Sequence, residues 1–175
     1  HFGAIAQAVD LPMILYNVPG RTAKEIAPET MARLAGEYLN IVAVKEASGK
    51  EEVWKEIREV CPGDFQIISG NDADTFSLMK KYKGVGVISV ASNVIPKRLA
   101  DFVKLGLSKD FIGMEAEHNR LTEFFDVLFI DVNPVPVKAA LNKIGLPGGG
   151  YRFPLCETTD ENRQKLFKVM ETLGV

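Results

Sequence analysis

Apolar positions along the chain fall into short runs, and each run is followed by a longer amphipathic stretch. The runs are rich in Val, Ile, Leu or Phe and lack strict two-residue alternation, which is typical of parallel strands buried on both faces. They predict four strands: Met13 to Tyr16, Ile41 to Lys45, Phe65 to Ser69 and Val85 to Val90.

The longer stretches carry apolar residues at helical spacing. Pro28 suits the first turn of one helix, and Pro62 with Gly63 ends the next. The stretches that alternate with the strands predict helices at Pro28 to Tyr38, Lys50 to Val60, Asp74 to Lys81 and Ile95 to Leu107. The remainder predicts three further helices and no strand: Lys109 to Phe129, Pro136 to Ile144 and Glu161 to Leu173.

Alternating strands and helices indicate a parallel sheet with right-handed crossovers. Four βα units are half of a (β/α)8 barrel, whose closed form takes about 250 residues. We therefore predict an α/β fold: the second half of a TIM barrel at residues 1–107, then a C-terminal helical domain at residues 108–175. An open, doubly wound sheet is the alternative, and periodicity alone does not separate the two.

Composition excludes several classes of protein. The net charge is −2, from 21 basic and 23 acidic residues with no basic block, so we expect no nucleic-acid partner. The apolar runs are far too short for a membrane span. Cys61 and Cys156 lie outside any Cys-x-x-Cys spacing, and we expect reduced thiols in a cytoplasmic protein. With only His1 and His118 besides, we expect no metal site.

A lysine ends the second apolar run, in the segment Val42 to Ala47. Reactive groups in parallel α/β folds gather at the carboxyl ends of strands. Burial of an ammonium is costly, which favours a neutral amine that can condense with a ketone to form an imine. The structural alternative is that Lys45 ends the strand and pairs with a carboxylate such as Glu46 or Asp72.

Two further residues favour the catalytic interpretation. Tyr16 ends the preceding strand, where its phenol could relay protons beside Lys45. Arg21 follows a turn at Val18-Pro19-Gly20, and its guanidinium could bind a carboxylate in bidentate fashion. The alternatives are an ordinary half-buried tyrosine and a solvated loop arginine.

Five segments in this order resemble the 4-hydroxy-tetrahydrodipicolinate synthase (dihydrodipicolinate synthase) family, in the N-acetylneuraminate lyase superfamily of class I pyruvate aldolases. The ordered set is far more specific than any one motif. The segments are Tyr16 to Thr22, Val44 to Gly49, Ser69 to Asp72, Gly86 to Val90 and Asn133 to Lys138.

The resemblance implies a role for each of four residues. Lys45 matches the lysine that forms an imine with pyruvate, and Tyr16 matches the tyrosine that shuttles protons. Arg21 matches the arginine that binds the carboxylate of aspartate semialdehyde. Ile88 matches the position whose backbone carbonyl lies beside pyruvate.

The resemblance also implies the reaction and its setting. Pyruvate would condense with L-aspartate semialdehyde to give 4-hydroxy-tetrahydrodipicolinate, in the diaminopimelate route to lysine, with no metal or organic cofactor. The enzyme would be a cytoplasmic homo-oligomer, a dimer of dimers that works without a membrane.

The sequence departs from the family in one large respect, because the first half of the barrel is not in it. That half supplies a Thr-Thr pair, a second relay tyrosine from across the dimer interface and much of the lysine feedback site. The chain begins with His1, and we expect it to start inside a longer protein. A half barrel alone would expose one side of its core. Whether this chain alone is active depends on what supplies the other half, and a second copy of the chain is one alternative.

Three other functions compete with the synthase. Sugar-acid and sialic-acid lyases of the superfamily share the tyrosine and lysine but generally lack an arginine at the position of Arg21. A catalytically inactive barrel that acts as a binding module would not be covalently labelled by pyruvate. An oxidoreductase on a doubly wound sheet would need a glycine fingerprint after its first strand, and the sequence has none there.

Overall fold

The computed structural model describes all residues of the chain, 1–175, and the chain divides into two compact units, His1–Ile88 and Ser89–Val175. The first unit holds a parallel sheet with flanking helices, and the second is helical. The strands are β1 (Met13–Asn17), β2 (Ile41–Glu46) and β3 (Gln66–Ser69). The helices are α1 (Phe2–Ala8), α2 (Pro19–Thr22), α3 (Pro28–Glu37), α4 (Glu51–Val60), α5 (Thr75–Tyr82), α6 (Pro96–Leu107), α7 (Phe111–Val127), α8 (Val135–Lys143) and α9 (Asp160–Leu173).

Three of the four predicted strands and all seven predicted helices are confirmed, with ends that differ by one or two residues. The prediction of a full fourth strand at Val85 to Val90 is wrong. Val87 forms a single parallel bridge to Ser69, and Ile88 N donates to Ser69 O at 2.9 Å. β3 ends at Ser69, so the segment pairs with it through this one bridge and remains an extended edge rather than a strand. The domain boundary between residues 107 and 108 stays a prediction.

The sheet order is β1-β2-β3, with all pairings parallel. Tyr16 is paired with Lys45, and Asn17 with Glu46. Glu46 is paired in turn with Ser69 of β3. The carboxyl ends of the three strands therefore lie level with one another.

The two faces of the sheet differ in burial. On the helix side, Leu15 and Val44 are 1% and 0% exposed and belong to a continuous apolar core. On the opposite side, Ile14 and Tyr16 are 48% and 47% exposed. Burial on both faces was predicted, but within this chain much of the side opposite the helices remains exposed. This is the expected state of half a barrel, because the inner face of a closed barrel is packed by residues from alternate strands all round it. The helix-side core also contains Met31, Leu34, Val53, Trp54, Ile57, Ile67 and Leu78.

The second unit is built from α6 to α9 around buried aromatic and aliphatic side chains. Asp110 caps α7 by accepting a hydrogen bond from Gly113 N at 2.9 Å, and Thr159 caps α9 by accepting from Asn162 N at 3.2 Å. No helix in the chain has both the length and the apolar character needed to cross a bilayer. The largest fully buried side chains of this unit are Phe102, Met114, Leu121, Phe124, Phe125, Leu128 and Leu166.

Candidate active site

Tyr16 and Lys45 lie side by side at the carboxyl end of the sheet. They are paired across β1 and β2, so their side chains project from the same face. The Nζ atom of Lys45 is 3.9 Å from the centre of the Tyr16 ring. At that distance the face of a ring attracts an ammonium by about 0.5–2 kcal/mol. The structure therefore brings the two predicted catalytic residues into contact.

Lys45 makes no ion pair within the chain. Glu46 follows it in the strand and so points to the opposite face. The Glu46 carboxylate instead accepts hydrogen bonds from Asn17 Nδ2 at 2.8 Å and from Ser48 N at 2.6 Å. The alternative in which Lys45 pairs with Glu46 or Asp72 is not what the structure shows. The Lys45 side chain is half-buried.

A layer of buried polar side chains lies on the helix side of these strand ends. Asn17, Glu46 and Ser69 occupy equivalent positions on three strands and are 0%, 2% and 0% exposed. No role for Asn17 or for this layer was predicted from the sequence. The alternation of side chains along a strand could have predicted it. If Tyr16 and Lys45 project from the face opposite the helices, the neighbouring Asn17 and Glu46 must point into the helix-side core.

Arg21 lies in α2, a single helical turn that directly follows β1. Pro19 occupies its first position, and Ala23 N donates to Pro19 O at 2.9 Å to close the turn. The predicted turn at Val18-Pro19-Gly20 is therefore a short helix. The Arg21 side chain is exposed and makes no ion pair within the chain. It is available to an anionic ligand near the end of β1.

Ile88 lies at the same end of the sheet. Val87 is level with Ser69, so Ile88 lies just beyond the level of the polar layer. Its N–H donates to Ser69 O, and its side chain is 45% exposed. Neither Ile88 nor Arg21 makes a hydrogen bond or ion pair with Lys45. The chain has no group of three or more His, Cys, Asp or Glu side chains able to hold a metal ion.

Comparisons with known proteins agree with this geometry. The model of the dihydrodipicolinate synthetase family matches residues 1–173. The 4-hydroxy-tetrahydrodipicolinate synthase of Methanocaldococcus jannaschii is 41% identical over 175 residues, which are 100% of this chain and 60% of that protein. The chain thus spans about 60% of the length of the curated relatives it matches.

Solved structures show the same relationship. The dihydrodipicolinate synthase of Aquifex aeolicus superposes with a TM-score of 0.95 at 39% identity, over 99% of this chain and 59% of that one. The chloride-inhibited enzyme of Acinetobacter baumannii, complexed with pyruvate, gives a TM-score of 0.94 at 36% identity, over 100% and 60%. The predicted fold class, part of a TIM barrel followed by helices, is confirmed by these likenesses. The chain belongs to the dihydrodipicolinate synthetase family.

Proposed function

We propose that this chain carries the imine-forming part of a 4-hydroxy-tetrahydrodipicolinate synthase, with Lys45 as the nucleophile. The observation that supports this most is the Lys45 amine, which lies 3.9 Å from the Tyr16 ring centre and has no carboxylate partner. An amine held by an ion pair would be a poor nucleophile, whereas one resting on a ring face has only a weak contact to leave. The pyruvate complex of the Acinetobacter baumannii relative is consistent with a keto-acid substrate.

The chemistry begins with attack of the Lys45 amine on the ketone carbon of pyruvate. The resulting carbinolamine loses water and leaves an imine between Nζ and the former ketone carbon. The adjacent phenol of Tyr16 is the group that moves protons during these steps. Loss of a methyl proton from the imine gives an enamine, and the enamine carbon attacks the aldehyde carbon of L-aspartate semialdehyde. The imine nitrogen serves as the electron sink, so this route calls for neither a metal nor an organic cofactor.

Arg21 and Ile88 supply substrate recognition in this proposal. The exposed guanidinium of Arg21 binds the carboxylate of the aldehyde, for which its two-pronged donor geometry is suited. The backbone carbonyl of Ile88 lies beside pyruvate. A carboxylate-bearing aldehyde therefore fits this site better than the uncharged sugar aldehydes used by related aldolases.

The wider biological setting belongs to the same proposal. Chains of this family with the complete barrel are named as synthases, and this chain covers about 60% of their length. The full-length protein would act in the diaminopimelate route to lysine as a homo-oligomer, in which a neighbouring copy completes the site. Binding of pyruvate and L-aspartate semialdehyde would need no nucleic acid and no membrane.

Substrate selectivity tests this function. In the full-length protein with saturating pyruvate, kcat/KM should be higher for L-aspartate semialdehyde than for sugar aldehydes by about 100-fold or more, the scale of a lost charged contact. A preference for a sugar aldehyde would identify a sugar-acid or sialic-acid lyase instead. Absence of turnover with every aldehyde would favour the binding module.

A further inference from the structure

The Arg21 loop, residues 18–25, is closed at both ends by a single side chain. Asn17 ends β1 immediately before the loop, and its Oδ1 accepts a hydrogen bond from Ile26 N at 3.0 Å. The side chain that precedes the loop therefore also fixes the residue that follows it. We call this contact between Asn17 and Ile26 the clamp. The position of Arg21 depends on the position of the Asn17 side chain.

Glu46 holds the clamp to the strand that carries Lys45. Asn17 Nδ2 donates to Glu46 Oε2 at 2.8 Å, and the other carboxylate oxygen, Oε1, accepts from Ser48 N at 2.6 Å. The backbones are joined as well, since Ala47 N donates to Asn17 O at 2.9 Å. The start of the Arg21 loop is thus joined to the end of the Lys45 strand by one buried side-chain hydrogen bond and one backbone hydrogen bond.

Burial gives this connection its rigidity. Asn17 and Glu46 are 0% and 2% exposed, so water cannot replace the hydrogen bond if it breaks. The same loop has a second link, the ion pair between Glu25 and Lys50 at 3.1 Å, whose side chains are 32% and 47% exposed. Exposed pairs of this kind contribute little. The buried pair is therefore the stronger of these two side-chain links.

We propose that Asn17 and Glu46 are positioning residues that place Arg21 for the aldehyde substrate, and so set its affinity without taking part in imine formation. This inference rests on the proposed function, in which Arg21 binds the aldehyde carboxylate. Both residues act through Arg21 and do not touch the reacting atoms. Their loss changes the KM for the aldehyde and leaves the reaction of pyruvate with Lys45 intact.

A reciprocal exchange of the two side-chain types tests the proposal. Asn17→Asp places a carboxylate against Glu46 and removes the donor. The double variant Asn17→Asp, Glu46→Gln restores every bond, because the Gln amide donates to the Asp carboxylate. The remaining oxygens still accept from Ile26 N and Ser48 N. The net charge of the pair is unchanged in the double variant.

In the full-length protein, Asn17→Asp should raise the KM for L-aspartate semialdehyde at least about tenfold. The double variant should recover to within about threefold of the original value. The kcat and the yield of borohydride-trapped pyruvate on Lys45 should stay within about twofold in both variants. Glu25→Gln, which removes a surface acid from the same loop, serves as the control and should change nothing.

Two results would overturn the positioning role: an unchanged KM in Asn17→Asp, or a folded double variant with no recovery. If Asn17→Asp does not fold, hydrogen exchange of the folded double variant decides. Protection of the Ile26 amide equal to that of the original protein supports the clamp, and its loss with an unchanged aldehyde KM overturns it. Failure of the proposed function is distinct, since the unaltered protein would then form no pyruvate adduct or would prefer a sugar aldehyde.

Discussion

The amine of Lys45 lies 3.9 Å from the centre of the Tyr16 ring, and the two residues are register partners on adjacent parallel strands. This arrangement gives Lys45 a contact that holds it in place without a counter-charge. It also puts a phenol next to the amine that the proposed reaction consumes and regenerates.

Removal of the Tyr16 hydroxyl separates its two roles. Tyr16→Phe keeps the ring face under Lys45 but cannot relay protons, so the rate of imine formation with pyruvate should fall about 100-fold. Time courses of borohydride trapping in the full-length protein measure this rate. Tyr38→Phe, at a tyrosine three residues before the start of β2 and far from its Lys45 end, is the control and should react like the original protein. A rate in Tyr16→Phe equal to that of the control would exclude the relay.

Arg21 should matter for the second substrate only. Arg21→Ala should raise the KM for L-aspartate semialdehyde about 10–100-fold, because a charged hydrogen-bonded contact is lost. Arg21→Lys should fall in between, since it keeps the charge but not the planar fork. Lys24→Ala removes an exposed cation from the same loop and should have little effect. An equal loss in Lys24→Ala and Arg21→Ala would indicate general charge attraction instead of a specific contact.

Gly70, just after β3, lies against the backbone at the end of β2, where there is no room for a side chain. A Cβ atom at this position would lie 2.5 Å from Ala47 Cβ and 3.0 Å from Glu46 O. Gly70→Ala should therefore lower the free energy of unfolding by about 1–3 kcal/mol. At Gly63 a Cβ atom would meet nothing within 4 Å, and Gly63→Ala should change it by less than about 0.5 kcal/mol. Urea titration of both variants measures their free energies of unfolding. Equal values would contradict the prediction and show that the residues around Gly70 move aside at no cost.

The two cysteines should differ in reactivity. Burial raises the pKa of the Cys61 thiol from 9.0 to about 11, and the nearby Arg58 offsets only part of that effect. Cys156 is exposed. Because the thiolate is the reactive form, iodoacetamide at pH 8 should alkylate Cys156 well before Cys61. Peptide mass spectrometry reads both sites, and equal rates at pH 8 would contradict the burial of Cys61.

The same thiol affects stability at high pH. The folded protein holds the Cys61 proton more tightly than the unfolded chain does, so the stabilising contribution of the neutral thiol is complete below about pH 9. It is lost as the pH rises towards about 11. The free energy of unfolding should decline across that window.

The strand ends, and with them the proximity of Tyr16 to Lys45, could be predicted from the sequence, but the register that makes the two residues direct partners could not. Met13 is paired with Ile41, whereas Ile14 is paired with Ala43, because the register shifts by one residue between them. Without that shift Tyr16 would be level with Val44, whose side chain packs in the helix-side core. A one-residue slip reverses the face of every partner, and no apolar pattern encodes its position here.

The Asn17–Glu46 hydrogen bond and the absence of a full fourth strand could not be predicted from the sequence, for a similar reason. Apolar runs report burial of a segment, whereas a hydrogen-bonded pair or a strand also needs a partner at a set distance. The run at Val85 to Val90 is apolar enough for a strand, yet β3 ends at Ser69 and offers it only one bridge. Partners lie far away in sequence, so they follow from tertiary structure and not from local pattern.

Covalent trapping tests the central claim most directly. The full-length protein is incubated with pyruvate and reduced with borohydride, and its peptides are mapped by mass spectrometry, with Lys45→Ala and Lys50→Ala as matched variants. We expect one modified peptide, containing Lys45 and heavier by the mass of pyruvic acid less one oxygen atom. The adduct should be absent in Lys45→Ala and retained in Lys50→Ala. An unlabelled protein, or a label that persists in Lys45→Ala, would contradict the assignment of Lys45 as the imine-forming lysine.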